Sequence, residues 1–101
     1  MTDRTLFTGL IRLHILHHAL EGPVFGQAMI DELGRHGYRL SAGTLYPILH
    51  GLERSGYLRS KSVSEQGRRR RIYRATPIGR RALSTARKRV EELFGEMLER
   101  G

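Results

Sequence analysis

The hydrophobic pattern of this chain changes period twice. From Leu6 to Ser55 apolar residues recur at steps of three and four, between Leu58 and Ala75 two short β-prone segments take over, and after Pro77 the helical steps return. Glu21-Gly22-Pro23, Gly37, Gly56 and Thr76-Pro77 punctuate the sequence at the joints. A chain divided in this way reads as three helices, a hairpin and a final helix. At 101 residues, 39% of them hydrophobic and 28% charged, it has material for one core and is too apolar to remain disordered.

The first helix, Arg4 to Leu20, carries two apolar stripes. Leu6, Leu10, Leu13, Leu16 and Leu20 form one; Phe7, Ile11 and Ile15 form the other, together with His14 and His18. A helix apolar on two sides needs two partners, and the stripe of Phe7, Ile11 and Ile15 is assigned to a second subunit. Phe25 to Arg35 is a second helix with Met29, Ile30 and Leu33 inward and Gly37 as its left-handed terminator. The third follows Ser41 as N-cap and runs to about Ser55, where Gly56 stops it; a start as late as Thr44 would put Pro47 in the first turn, where proline sits best. Leu58–Val63 and Arg68–Ala75 pair as strands through the turn Ser64-Glu65-Gln66-Gly67. Thr76 caps the last helix, with Pro77 at its first position, and the helix continues to about Arg100. Its residues Leu83, Ala86, Val90, Leu93 and Met97 form a heptad seam that suits dimerisation, the alternative being a helix folded back on its own domain. Residues 1–76 thus form one unit and 77–101 a dimerisation helix.

On the third helix Leu45, Ile48, Leu49 and Leu52 share the inward face. Outward are Gly43, Pro47, His50 and Arg54, with Tyr46 on the flank. Such a helix suits a DNA major groove, being apolar behind and small or polar in front; Gly43 and Gly51 allow the backbone to come close. Eighteen Lys and Arg against ten Asp and Glu give a formal charge of +8, which points to a polyanion. The basic residues gather after the third helix, at Arg54, Arg59, Lys61, Arg68, Arg69, Arg70, Arg71 and Arg74, opposed there by Glu65 alone. On a strand these arginines alternate sides, so only part of the run can face one groove wall. The fold class is mainly α with a small β-hairpin: a winged helix-turn-helix plus a C-terminal dimerisation helix.

The run Leu40-Ser41-Ala42-Gly43-Thr44-Leu45-Tyr46-Pro47-Ile48-Leu49, followed by Leu52-Glu53-Arg54-Ser55-Gly56-Tyr57-Leu58, resembles the recognition helix and following turn of the PadR family of bacterial transcriptional regulators. Arg71-Ile72-Tyr73-Arg74-Ala75-Thr76-Pro77-Ile78-Gly79 resembles its second wing strand, and the likeness extends over about Leu13 to Leu83. With no Trp and a single C-terminal helix, the chain is similar to the short-tailed branch; it departs from many members in having Gln27 after Gly26, where they carry an aromatic residue. The resemblance implies a homodimeric winged-helix repressor on operator DNA, paired through the first and last helices. It adds Ser41, Thr44, Tyr46 and Pro47 to the DNA-facing helix start and the arginines before Tyr73 to the wing. The expected DNA-binding set is therefore Ser41, Gly43, Thr44, Tyr46, Pro47, His50, Arg54, Lys61, Arg68, Arg69, Arg70, Arg71 and Tyr73. Phe7, Ile11, Ile15, Leu83, Ala86, Val90, Leu93 and Met97 are the expected dimer contacts.

His14 and His18 stand at i and i+4, a spacing that brings two imidazoles to one divalent transition metal and would make the metal an effector at the dimer contact. The alternative is that these histidines bond to carboxylates such as Glu91 or Glu92. No cofactor is required, and the effector, small molecule or metal, stays open. Without Cys there is no disulfide, thiolate nucleophile or Cys-based zinc site. No phosphate loop, nucleophile turn or HExxH pattern suggests an enzyme. No apolar run is long enough to span a bilayer, so a cytoplasmic protein is expected. An RNA-binding or architectural winged helix is the rival reading; four Tyr and three Phe, most at packing positions, leave little platform for base stacking.

Overall fold

The computed structural model describes residues 4–99. In chain order its elements are α1 (Arg4–Glu21), β1 (Val24–Phe25), α2 (Gly26–Arg35), α3 (Ala42–Arg54), β2 (Leu58–Glu65), β3 (Arg68–Ala75) and α4 (Pro77–Glu99). Arg100, where the last helix was expected to end, lies outside the described residues.

Helix ends follow the sequence signals. Gly37 and Gly56 take positive φ, and the amides of Tyr38 and Tyr57 reach back to the carbonyls of Leu33 and Leu52, both at 2.9 Å. α3 begins directly after Ser41, so Pro47 lies inside the helix. The carbonyl four residues earlier, at Gly43, loses its helical donor there; both residues are exposed, and water can satisfy it. Thr76 caps α4 through its Oγ1, which accepts from the Gly79 amide at 3.0 Å and donates to the Gly56 carbonyl at 2.5 Å. The last helix is thereby tied to the end of α3.

Two corrections concern the sheet. It has three strands in the order β1-β3-β2, all antiparallel, where a two-stranded hairpin was expected. β1 is only two residues long, too short to show a period. The hairpin turn is also shorter than the expected Ser64–Gly67: β2 and β3 pair from Leu58↔Ala75 to Glu65↔Arg68, leaving Gln66 and Gly67 as a two-residue turn with φ of 51° and 78°. Positive φ at both central positions matches the right-handed twist of the strands.

The core gathers Ile11, Ile15, Leu16 and Ala19 of α1 with Val24, Met29, Leu33, Leu45, Leu49, Leu52, Leu58 and Tyr73. Here the expected dimer contacts Ile11 and Ile15 are corrected: both are buried within their own chain. The Ile11 and Ile15 stripe turns inward with Ala19, while the leucine stripe is divided: Leu16 joins the core, Leu13 and Leu20 are half-buried, and Leu6 and Leu10 are exposed. Phe7 is half-buried, its ring 6.2 Å from that of Tyr38. α4 packs only at its start: Gly79 is buried where a Cβ would collide with the Tyr57 carbonyl oxygen, and Leu83 packs on the core. Beyond half-buried Ala86, the seam residues Val90, Leu93 and Met97 are exposed, as are Phe94 and Leu98 beside them. Among the described residues no helix is long and apolar enough to cross a membrane.

Candidate nucleic-acid interface

Leu45, Leu49 and Leu52, spaced by four and then three residues, are buried on the inner side of α3, so the helix is anchored along one stripe and its outer side is free. Ser41, Gly43, Pro47, His50 and Arg54 are exposed there, and Thr44 is half-buried. Tyr46 is half-buried because its phenol ring lies against Gly26 at the start of α2; a side chain at Gly26 would occupy the place of the Tyr46 hydroxyl. The glycine thus sets how closely the first two helices of the reading head approach.

The wing is held to α3 by a carboxylate. Glu53 Oε2 accepts from the Ser60 amide at 3.1 Å and from the Ser60 hydroxyl at 2.8 Å, and Arg71 Nη1 donates to Ser60 Oγ at 3.0 Å. Hydrogen bonds to a charged acceptor are the stronger kind, about 1.5–3 kcal/mol each. Strand register then sorts the basic residues. Ser60, Ser62 and Ser64 stand opposite Tyr73, Arg71 and Arg69, so Arg69 and Arg71 share the side of Glu53 and α3. Arg59, Lys61, Arg68, Arg70 and Arg74 take the other side, and Arg70 is pinned over the Phe25 ring, 4.7 Å from its centroid, and to Glu65 at 3.3 Å. Tyr73 does not belong to the exposed set: it is wholly buried, because β3 is the central strand and is covered on both faces at that end. Among the described residues its hydroxyl has no hydrogen-bond partner, and burial, followed by the nearby Glu53 carboxylate, pushes its pKa up. Glu53, Ser60, Phe25 and Gly26 were missed as site residues; Glu53 was visible only as part of the resemblance.

Comparisons with known proteins assign the fold to a family. The Transcriptional regulator PadR-like family matches residues 15–85. The chain belongs to the PadR family. It is 56% identical over 88 residues to the transcriptional regulator Rv3488 of Mycobacterium tuberculosis, covering 87% of this chain and 82% of that one. The PadR family transcriptional regulator of Eggerthella lenta superposes with a TM-score of 0.79 at 32% identity, over 94% of this chain and 87% of the other. A transcriptional regulator from Clostridium thermocellum, 24% identical and covering 98% and 97% of the two chains, shares the fold with a TM-score of 0.83. The protein is accordingly a DNA-binding transcriptional regulator and not an enzyme.

Four of the five histidines of this PadR chain, His14, His17, His18 and His36, cluster where α1 meets α2. His14 stacks at 4.9 Å on His36 and meets Tyr38 edge-on at 5.6 Å. His18 lies between Glu21 at 3.5 Å and Glu32 at 3.4 Å, and His17 is 3.5 Å from Glu21. Among the described residues the ligand atoms of His17, His18 and Glu21 lie within 4.8 Å of one another, a cluster that places His17 beside His18 and does not include His14. The carboxylates beside these histidines are Glu21 and Glu32; Glu91 instead pairs with Arg87 at 3.3 Å. Burial, reinforced by the neighbouring His36, His18 and His17, lowers the His14 pKa. Glu32 accepts from Arg35 and His36, which brings its pKa down to about 2. Between α1 and α4 runs a groove of about 650 Å³, lined by Leu10, Leu13, Leu20, Leu83 and Val90 with His14, His17, Arg87 and Glu91.

Proposed function

We propose that the protein is a homodimeric repressor that lays α3 of each copy in successive major grooves of an operator and sets the wing along the adjoining minor groove or backbone. The carrying observation is that the outward residues of α3 and the arginines Arg69 and Arg71 lie on one side of the molecule, joined through Glu53 and Ser60. Base discrimination then falls to Thr44, Tyr46 and His50, and sequence-independent affinity to the wing. Pairing through α1 and α4 is supported by the exposed apolar side chains of both helices, Leu10 on α1 and Val90, Leu93, Met97 and Leu98 on α4.

The test is a salt titration of binding to DNA from upstream of the protein's own gene, with unrelated DNA and structured RNA of equal length as competitors. Operator DNA should be preferred over both. Replacing Arg69 and Arg71 with Gln should weaken binding to all sequences and flatten the salt slope by about 0.9 for each phosphate that is no longer neutralised. An unchanged slope removes the wing from the interface, and equal affinity for all three nucleic acids returns the architectural or RNA-binding reading.

Regulation by a transition metal is a second reading, favoured by the convergence of His17, His18 and Glu21. A ligand from the partner copy would complete such a site. Calorimetry with zinc, nickel or cadmium on the wild type and on a His17→Ala/His18→Ala variant decides it; equal binding by both removes the site.

A further inference from the structure

Pairing of β1 with β3 ends at Phe25↔Ile72, because the chain turns there into α2. β3 continues for four more residues, so from Arg71 to Arg68 its edge has no strand beside it on that side. The space left is a cleft of about 420 Å³, bounded by Gly26 and Gln27 of α2, Tyr46 of α3 and the four arginines. None of the residues lining it is acidic. Arg70 is answered by Glu65, but Arg69 and Arg71 have no acidic residue in the cleft, and an anion there relieves the repulsion between them. Phe25, the N-cap of α2, makes no side-chain capping bond, so the first amides of that helix add to the positive wall.

Position decides which anion fits. A recognition helix in the major groove and a wing at the next minor groove are separated on the duplex by one strand of phosphates. That strand must cross the surface between α3 and β3, which is where the cleft lies. A free nucleotide would need a ring or apolar floor for its base, and the cleft's other aromatic ring, Phe25, is already covered by Arg70 at 4.7 Å.

We propose that this cleft seats the backbone phosphate of operator DNA that divides the groove read by α3 from the groove reached by the wing, with Gln27 as the uncharged donor and Arg69 and Arg71 supplying charge. The inference rests on the DNA-binding reading and extends it to residues of α2. Gln27 is exposed, and its side chain bonds only to Asp31 one turn along, at 3.2 Å.

The test is fluorescence anisotropy on the full chain carrying Gln27→Glu. A carboxylate in the first turn suits the helix dipole but faces Asp31 one turn along, so the two effects offset and thermal stability should change little while DNA binding falls. Affinity for every duplex should drop about tenfold, with the salt slope smaller by about 0.9. Duplexes bearing a single uncharged methylphosphonate should reveal one position per half-site that weakens the wild type and leaves Gln27→Glu unaffected. Affinity and slope equal to wild type, or no such position in the scan, overturns the proposal. Inorganic phosphate binding that Gln27→Glu abolishes, without change in DNA affinity, overturns it in favour of a free-anion site. Absence of operator preference in the wild type would count against the regulator reading alone, since the salt slope and the methylphosphonate scan respond to the phosphate independently of sequence.

Discussion

α3 and α4 are both amphipathic, and the rest of the chain treats them in opposite ways. The 13 residues of α3 bury three leucines; the 23 residues of α4 bury only Gly79. The contrast teaches that helical period reveals an apolar face without revealing what covers it. α3 is fixed by its own core, which leaves its outer side available to DNA. α4 is anchored at one end and carries most of its apolar face into solvent, where a second copy can use it.

The contrast breaks if the two faces respond alike to truncation. Leu49→Ala should cost about 2–5 kcal/mol in denaturant titrations. Leu93→Ala, measured at concentrations too low for association, should stay within about 0.5 kcal/mol of wild type. Equal destabilisation would mean that the α4 face is packed within the chain. Next in size, Val90→Glu with Leu93→Glu should leave the circular dichroism spectrum intact, halve the sedimenting mass and weaken operator binding about 100-fold, because the two heads no longer bind as one bivalent unit. A variant that still sediments with wild-type mass would place the dimer contact elsewhere.

On the α3 side, Glu53→Ala should destabilise the fold by about 1.5–3 kcal/mol and release the wing. Its DNA affinity should fall further than that of a distant variant matched to it in stability; the same affinity for both would remove the wing-holding role. The smallest effect is on pH dependence. The His14 pKa is lower in the folded chain than the ordinary 6.5, so below that pH the unfolded chain takes up a proton first. The associated stability is complete above 6.5 and is lost as pH falls, with His36, His17, His18 and Glu32 as the facing groups. Glu32, held down to about 2, adds stability above 4.5 that is lost between 4.5 and 2. The melting temperature should therefore fall from pH 7.5 to 5.5, and less steeply in His14→Gln; parallel curves would show that His14 does not contribute.

The helices and the wing arginines were legible because their signals are local: a period, a cap, a glycine at positive φ. What was not legible depended on neighbours distant in sequence. Two apolar stripes on α1 offer two ways to bury it, and only packing against α2, α3 and the sheet selects Ile11 and Ile15 over Leu6 and Leu10. Tyr73 reads as a wing residue until β1 pairs beside it and makes β3 central. The His14 and His18 spacing is sound helical geometry, yet the rings of His36 and Tyr38 claim His14.

Two bonds from Ser60 to the Glu53 carboxylate, with Arg71 bracing the same serine from within the wing, leave the wing little freedom to swing apart from α3. Each head is then a rigid jaw, and in the proposed dimer a signal would alter the bite only at the joint between copies. Induction would work as a caliper does, changing the span between two unaltered jaws until it no longer matches the turn of the duplex.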